Sequence, residues 1–263
     1  MIRFFRGNPR LLLVSLPVAL AMIALKWVYD ISPAPHLDFS PLLTGVIAAE
    51  VFLVGFMLSG TAGDFKEAER LPGELAASLE TIADECLLVD AELALPEAGQ
   101  CMAQLITIGE AVRMWLLQNK GFDEVMADIR ALNPIFSVFA PKIQPGFTSR
   151  LKAEQATIRR LVIRMDTVRR TSYVAAGYLI AEVTAMAIFA LLLVTDIGPL
   201  TPTVLVVGVI SFLLIYLLLL MRDLDNPFEY HDGRPGAADV HLDVLEQCEN
   251  RLRDELASMA TRP

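Results

Sequence analysis

Two carboxylates fall where a carboxylate is expensive. Glu50 lies near the middle of one apolar stretch, residues 42–59, and Glu182 about a third of the way along another, residues 174–195. An ionisable side chain inside a bilayer is costly and ordinarily faces a cavity, a partner or a pore. The sequence shows no Lys or Arg at a similar depth to pair with either. One chemistry is a protonated or hydrogen-bonded glutamate between packed helices; the other is a polar ring on an ion path or a proton relay. Close to Glu50, Phe52 and Phe56 stand four residues apart, with Ala48 one turn earlier and Gly55 among them. On a helix these side chains make one stripe. Such a stripe is either ordinary packing, with Gly55 admitting a neighbour, or a hydrophobic neck. If copies of the helix ring an axis, that neck gates conduction by dewetting.

Two charged clusters offer further chemistry. Arg150, Lys152, Arg159, Arg160, Arg164, Arg169 and Arg170 crowd one segment. They read most simply as a topological anchor with salt bridges to the acidic remainder. Anionic lipid headgroups beside Arg169 and Arg170, or a basic lining of a cytoplasmic ion path, are the sharper readings. Asp223, Asp225, Glu229 and Asp232 could ligate a hard cation such as calcium, but the spacing is not that of an EF-hand loop, and a solvated helix end is simpler. Cys86, Cys101 and Cys248 have no metal-like spacing and read as reduced thiols. His36, His231 and His241 are scattered. There is no phosphate-binding glycine loop, no nucleophile elbow and no HExxH, so neither an enzymatic reaction nor a cofactor is expected.

The elements that must position these residues are apolar helices. Hydrophobic residues make up 54% of the 263, charged residues 20%, and mean hydropathy is +0.50. Soluble proteins sit near 45–50% and about 25%. A net charge of −9 argues against nucleic acid, whose phosphates need clustered Lys and Arg. The apolar excess falls in residues 11–29, 42–59, 174–195 and 202–221. A bilayer core of roughly 30 Å needs roughly 20 apolar helical residues, so each can span it. Arg3, Arg6 and Arg10 precede the first span; residues 60–173 carry thirteen Lys and Arg, the tail after 221 carries five, and links 30–41 and 196–201 carry none. By the positive-inside rule both termini and the middle segment are cytoplasmic, as for a multi-pass protein of the inner (plasma) membrane. A cleaved signal peptide ending at Ala19-Leu20-Ala21 is the rival. The length of the stretch, and Lys26, Trp27 and Tyr29 as an interfacial anchor, favour a retained span.

The chain thus reads as an all-α integral membrane protein with four transmembrane helices in a 2+2 layout. Residues 1–59 hold the first pair, 60–173 a cytoplasmic helical region, 174–221 the second pair, and 222–263 a helical tail. Helical spacing runs over 64–95, interrupted by Pro72-Gly73, and over 100–119, with Met102, Leu105, Ile106, Ile108, Val112 and Leu116 as the apolar side. Gly121 is expected to stop that helix at positive φ. A short helix follows over 123–132, ended before Pro134. Thr148-Ser149 is expected to cap one long helix over 150–195, roughly 69 Å. The tail forms an amphipathic helix over 241–259 with Leu242, Val244, Leu245, Leu252 and Leu256 apolar.

Together these pieces resemble the bestrophin family of ion channels. The layout is similar over nearly the whole chain. The closer likeness lies in two short stretches. Phe52-Leu53-Val54-Gly55-Phe56 is similar to the family's pore neck, and Leu224-Asp225-Asn226-Pro227-Phe228 is similar to its Asn-Pro-Phe or Asp-Pro-Phe turn after the last span. The resemblance implies five copies around one axial pore for small inorganic ions, usually anions such as chloride, though some bacterial members prefer cations. It places Ala48, Phe52 and Phe56 toward the axis, with a second narrowing in the cytoplasmic helices. It also implies the lipid bilayer and further copies of the chain as partners. The Arg-Trp-Trp-like stretch that follows the neck in animal members is replaced by Asp64-Phe65-Lys66-Glu67-Ala68-Glu69-Arg70, and Asn226-Pro227-Phe228 breaks the acidic tail. Calcium gating is therefore not expected; the resemblance is to a divergent bacterial member. From the residues alone, a proton-coupled transporter using Glu50 and Glu182, or a non-conducting membrane scaffold or sensor, stays open.

Overall fold

The computed structural model describes residues 9–38, 40–117, 120–170, 175–228, 230 and 239–261. In chain order they form α1 (Pro9–Asp30), β1 (Leu37–Asp38), α2 (Pro41–Leu93), α3 (Pro96–Leu116), α4 (Phe122–Arg130), α5 (Leu132–Phe139), α6 (Pro145–Arg170), α7 (Ala175–Val194), β2 (Thr195–Asp196), α8 (Leu200–Leu224) and α9 (Asp243–Ala260). The all-helical expectation holds, apart from β1 and β2, which pair in parallel with Leu37 opposite Thr195 and Asp38 opposite Asp196. The chain divides into two compact units: Met1–Phe65 with Ser172–Asn226, and Lys66–Thr171 with Pro227–Pro263.

The first unit contains α1, the start of α2, α7 and α8. These four helices are long and apolar enough to cross a membrane, as expected. Side chains buried between them are few. Val54, Met57, Ala181 and Met221 form one cluster and Ile188, Leu192 and Leu214 another. α1 packs along α8, and Gly208 makes the approach possible: a Cβ there would lie 2.9 Å from Ile23 Cδ1. Small residues let spans come together where no hydrophobic driving force exists between helices in lipid. Lys26 corrects the interfacial-anchor reading. It is only 2% exposed, and its Nζ donates to the Leu193 carbonyl at 3.1 Å and the Thr195 carbonyl at 2.6 Å while pairing with Asp30 at 2.6 Å. It caps the carbonyl end of α7, where a cation is favoured. That capture, with Thr195 Oγ1 donating to the Leu191 carbonyl at 2.7 Å, ends α7 at Val194 rather than Thr195.

The second unit is a helical bundle around one contiguous core. The second part of α2 contributes Leu71, Leu75, Leu79 and Ile82, and α3 contributes the six apolar residues expected of it, all buried. Pro72-Gly73 does not interrupt α2. An interior proline costs a helix about 3 kcal/mol, but the stripe Ala68, Leu71, Leu75, Ala76 and Leu79 is buried on both sides of it, and packing outweighs the missing hydrogen bond. Ala94, at φ 48°, turns the chain from α2 into α3 in the left-handed conformation that a non-glycine residue adopts only at a cost.

Other boundaries shift for local reasons. α3 begins at Pro96, a residue suited to the first turn. Gly121 sits at φ −81° and ψ 148° as the N-cap of α4, and the α3 stop is Leu117. Pro134 falls within the first turn of α5, where its missing N–H costs nothing, so a helix starts where one was expected to end. α6 begins at Pro145, three residues before Thr148, and Ser149 Oγ donates back to the Pro145 carbonyl at 3.0 Å. The single helix expected over 150–195 appears as α6 and α7, and residues 171–174 between them lie outside the described residues. In α9, Leu245 and Leu252 are buried as expected and Val244 is exposed; Cys248 and Glu249 take the buried positions beside them.

Candidate functional site

The first part of α2 carries the stripe of interest, and its two faces differ in kind. Leu43, Glu50, Val54, Met57 and Thr61 recur at helical spacing and are buried in the first unit. On the opposite side Ala48, Phe52 and Phe56 are exposed, Phe52 by 76% and Phe56 by 66%. Gly45, Gly55 and Gly63 look onto open space. The sequence stripe is therefore one uncovered helical edge of aromatic and small residues.

The two intramembrane carboxylates separate. Glu50 is 4% exposed on the packed face, away from the phenylalanines. Ile47 and Val51 beside it pack against Ile188, Leu192 and Leu214. Its Oε1 has no hydrogen-bond partner among the described residues, and neither does the Ser211 hydroxyl of α8. Glu182 is more exposed and pairs with Arg222. That corrects the expectation of no basic partner. α8 continues past 221, and a long arginine side chain can carry its head away from its own Cα.

Around the same end of α8 the helices are tied together. The Tyr178 hydroxyl donates to the Met221 carbonyl at 3.4 Å, and Tyr178 packs against the cluster of Val54, Met57, Ala181 and Met221. Thr61 is fully buried, and its Oγ1 donates to the Met57 carbonyl at 3.1 Å. α2, α7 and α8 thus meet in one small cluster that sequence spacing did not reveal. Its members are far apart along the chain and individually ordinary.

In the second unit most of the arginine cluster is engaged. Arg164 forms two hydrogen bonds to Glu67, at 2.8 and 2.7 Å, holding that carboxyl below the usual range. Arg170 pairs with Asp166 at 2.8 Å and lies over the Phe122 ring. Arg169 donates to the Trp115 carbonyl at 3.2 Å and lies over its indole. Arg160 donates to Thr157 Oγ1 at 2.9 Å. The Arg159 side chain makes no hydrogen bond or ion pair with a described residue; burial, and secondarily the Arg159 charge, lower the pKa of Lys152.

Of the calcium candidates, Asp225 caps the end of α8 and Asp223 sits in its last turn; Glu229 and Asp232 lie outside the described residues. No group of three or more His, Cys, Asp or Glu able to hold a metal occurs among the described residues. Cys86, Cys101 and Cys248 are free and buried. The neighbouring Cys101 thiol and burial push the Cys86 thiol up, and burial pushes Cys248 up to about 12. Sequence reasoning also missed the tail helix's anchor. Glu249, 1% exposed, accepts hydrogen bonds from Arg113 of α3 at 3.2 and 3.1 Å.

No protein-family model matches this sequence, and no curated protein does. Solved structures do match. A bacterial bestrophin homolog from Klebsiella pneumoniae superposes with a TM-score of 0.73 at 16% identity, over 94% of this chain and 98% of that one. A variant of the same protein gives 0.75 at 17% identity over 94% and 98%. A crystal structure of a variant described as a membrane protein gives 0.77 at 16% identity over 91% and 97%. The likeness is one of fold and extends over almost the whole of each chain. This chain is a helical membrane protein with the fold of the bacterial bestrophin homologs.

Proposed function

We propose that the chain is one subunit of a homo-oligomeric channel, a pentamer by resemblance, that passes small inorganic ions through an axial pore. Copies of α2 line its neck with Ala48, Phe52 and Phe56. One observation carries this reading: the edge of α2 bearing those residues is uncovered, aromatic and interspersed with glycine. A ring of such edges closes a narrow, dry constriction that dewetting can gate, and cyclic assembly needs only one repeated interface. Anions such as chloride are the favoured cargo, following the family resemblance. The positive-inside pattern favours the inner membrane with both termini cytoplasmic. No enzymatic role enters this reading, and calcium has none. The test is the purified protein in planar bilayers, its oligomeric state checked by mass photometry. Currents from a verified ring are expected; silence from a folded ring overturns the reading.

Proton-coupled transport has one observation in its favour, the buried and unpartnered Glu50 Oε1. Glu182 no longer supports it, since Arg222 holds that carboxylate. Proton-driven flux abolished by Glu50→Gln would favour the transporter over the channel.

A further inference from the structure

The end of α1 and the turn after it gather charge around one carboxylate. Asp30 closes α1, and its Oδ1 lies 2.6 Å from the Lys26 Nζ and 3.4 Å from the His36 Nε2. Lys26 is already engaged, since the same Nζ holds the carbonyls of Leu193 and Thr195. The imidazole is oriented by its neighbours. It meets the Tyr29 ring edge-on, with centroids 5.2 Å apart and planes at 74°. The Tyr29 hydroxyl in turn donates to the Pro35 carbonyl at 2.7 Å, which fixes the backbone just before His36. Ser32 Oγ donates to the Tyr29 carbonyl at 2.7 Å and closes the turn.

His36 differs from the other groups here in what solvent can do to it. Histidine is the side chain whose charge ordinarily changes between about pH 5 and 8, and His36 is the only histidine of the unit Met1–Phe65 with Ser172–Asn226. The other ionisable groups on the elements that meet here are Lys26, Tyr29 and Asp30 of α1, Asp38 of β1 and Asp196 of β2. α2 and α8 bring none in their first two turns. Carboxylates therefore outnumber the one ammonium, and a positive imidazole is attracted by the group as a whole. A separation of 3.4 Å is within ion-pair range but longer than the roughly 2.7–2.9 Å of a charge-assisted hydrogen bond. A neutral imidazole gains little from that contact, and a charged one closes it. Leu37 and Asp38 follow directly and pair with Thr195 and Asp196. Residues 39 and 40 alone separate that ladder from α2.

We propose that His36 is a pH-sensitive clasp. Protonated, it binds the Asp30 carboxylate and holds the turn, the β1–β2 ladder and the start of α2 to the end of α1; neutral, it lets the turn open locally. The sign follows from the pair. Both partners are charged only between the carboxylate and imidazole titrations, so the hold is present at mildly acidic pH and lost as pH rises through the histidine range. His36 is 29% and Asp30 34% exposed, so solvent screens the pair and its effect is a factor of a few, not an all-or-none lock. The clasp is independent of conduction and stands or falls without it.

The test is hydrogen–deuterium exchange of the full chain in detergent micelles at pH 5.5 and pH 8, corrected for the intrinsic pH dependence of amide exchange. The peptide covering residues 31–38 is expected to exchange about threefold more slowly at pH 5.5, or about 0.7 kcal/mol, while peptides from α3 show no difference. His36→Gln should exchange at the faster rate at both pH values. His36→Lys, charged throughout, should keep the slower rate at both. Asp38→Asn should retain the difference, because Asp30 is the partner. Equal corrected exchange of the parent at the two pH values, a slower rate at pH 8, or a difference that survives His36→Gln overturns the proposal. So does a difference shared by α3 or lost in Asp38→Asn.

Discussion

The unit of Lys66–Thr171 and Pro227–Pro263 turns its apolar side chains inward and meets its surroundings with paired charges; the unit of Met1–Phe65 and Ser172–Asn226 does the reverse. In the former, Leu75, Leu105, Ile129, Phe136 and Leu245 share one core, while Arg164–Glu67, Arg251–Glu80 and Arg253–Glu110 pair on its outside. In the latter, Leu13, Leu20, Trp27, Phe52, Leu179 and Leu205 are exposed, and Lys26, Glu50, Thr61, Thr203 and Ser211 are buried among a few apolar side chains such as Val54, Ile188 and Leu214. Each is organised for the solvent that its surface suits, water for one and hydrocarbon for the other. The inside-out unit also has two kinds of outside. α1 exposes large aliphatic residues, as a lipid-facing helix does; α2 exposes two phenylalanines among glycines and alanines. Average hydropathy does not separate these faces, but side-chain size does.

The largest expected effect probes that last distinction. Phe52→Ala and Phe56→Ala should each raise single-channel conductance several-fold by widening a dry neck, while Leu13→Ala and Leu20→Ala on α1 leave it unchanged. Equal responses from the two helices would erase the difference between their exposed faces. Next comes the core of the water-facing unit. Arg113→Met strands the Glu249 carboxylate at 1% exposure with only Arg253 near it, at 3.6 Å. Removing one partner of such a pair costs about 3 kcal/mol, measurable as a lower Tm by circular dichroism in detergent. For the inside-out unit, Lys26→Met leaves the carbonyls of Leu193 and Thr195 without their donor, and a loss of about 2 kcal/mol is expected. Trp27→Ala, on the exposed side one residue along, should cost clearly less.

The smallest effect belongs to a surface pair. Arg164→Gln should cost only a few tenths of a kcal/mol, as exposed ion pairs do. Its pH dependence has a definite sign. Arg164 lowers the folded-state Glu67 carboxyl below the unfolded value, so the contribution is present above the unfolded pKa and is lost as pH falls through the folded one. The Tm gap between parent and variant should therefore close in acid. A gap that widens there would mean Glu67 is not the partner that matters.

What the sequence made legible was whatever depends on composition and period. The four apolar helices and the buried face of α3 follow from local spacing alone. So does the edge bearing Ala48, Phe52 and Phe56, because a stripe needs no knowledge of a partner. What escaped was set by distant residues. Pro72 reads as a break unless one knows how firmly Leu71 and Leu75 are packed. Lys26 reads as a membrane anchor until the end of α7, some 170 residues away, supplies its carbonyls. Arg222 reads as part of a charged tail until Glu182 is found beside it, and the Glu249–Arg113 pair joins two helices that no periodicity connects.

The short parallel ladder between Leu37–Asp38 and Thr195–Asp196 reaches beyond local stability. Backbone hydrogen bonds form only at contact distance, so the connection leaving α1 and the one leaving α7 occupy the same compartment. For a chain that crosses a bilayer at α1, α2, α7 and α8, the same pairing requires that the second crossing reverse the first. Two pairs of residues thereby tie two connections to one side, and reporter cysteines placed in both should be labelled from that same side only.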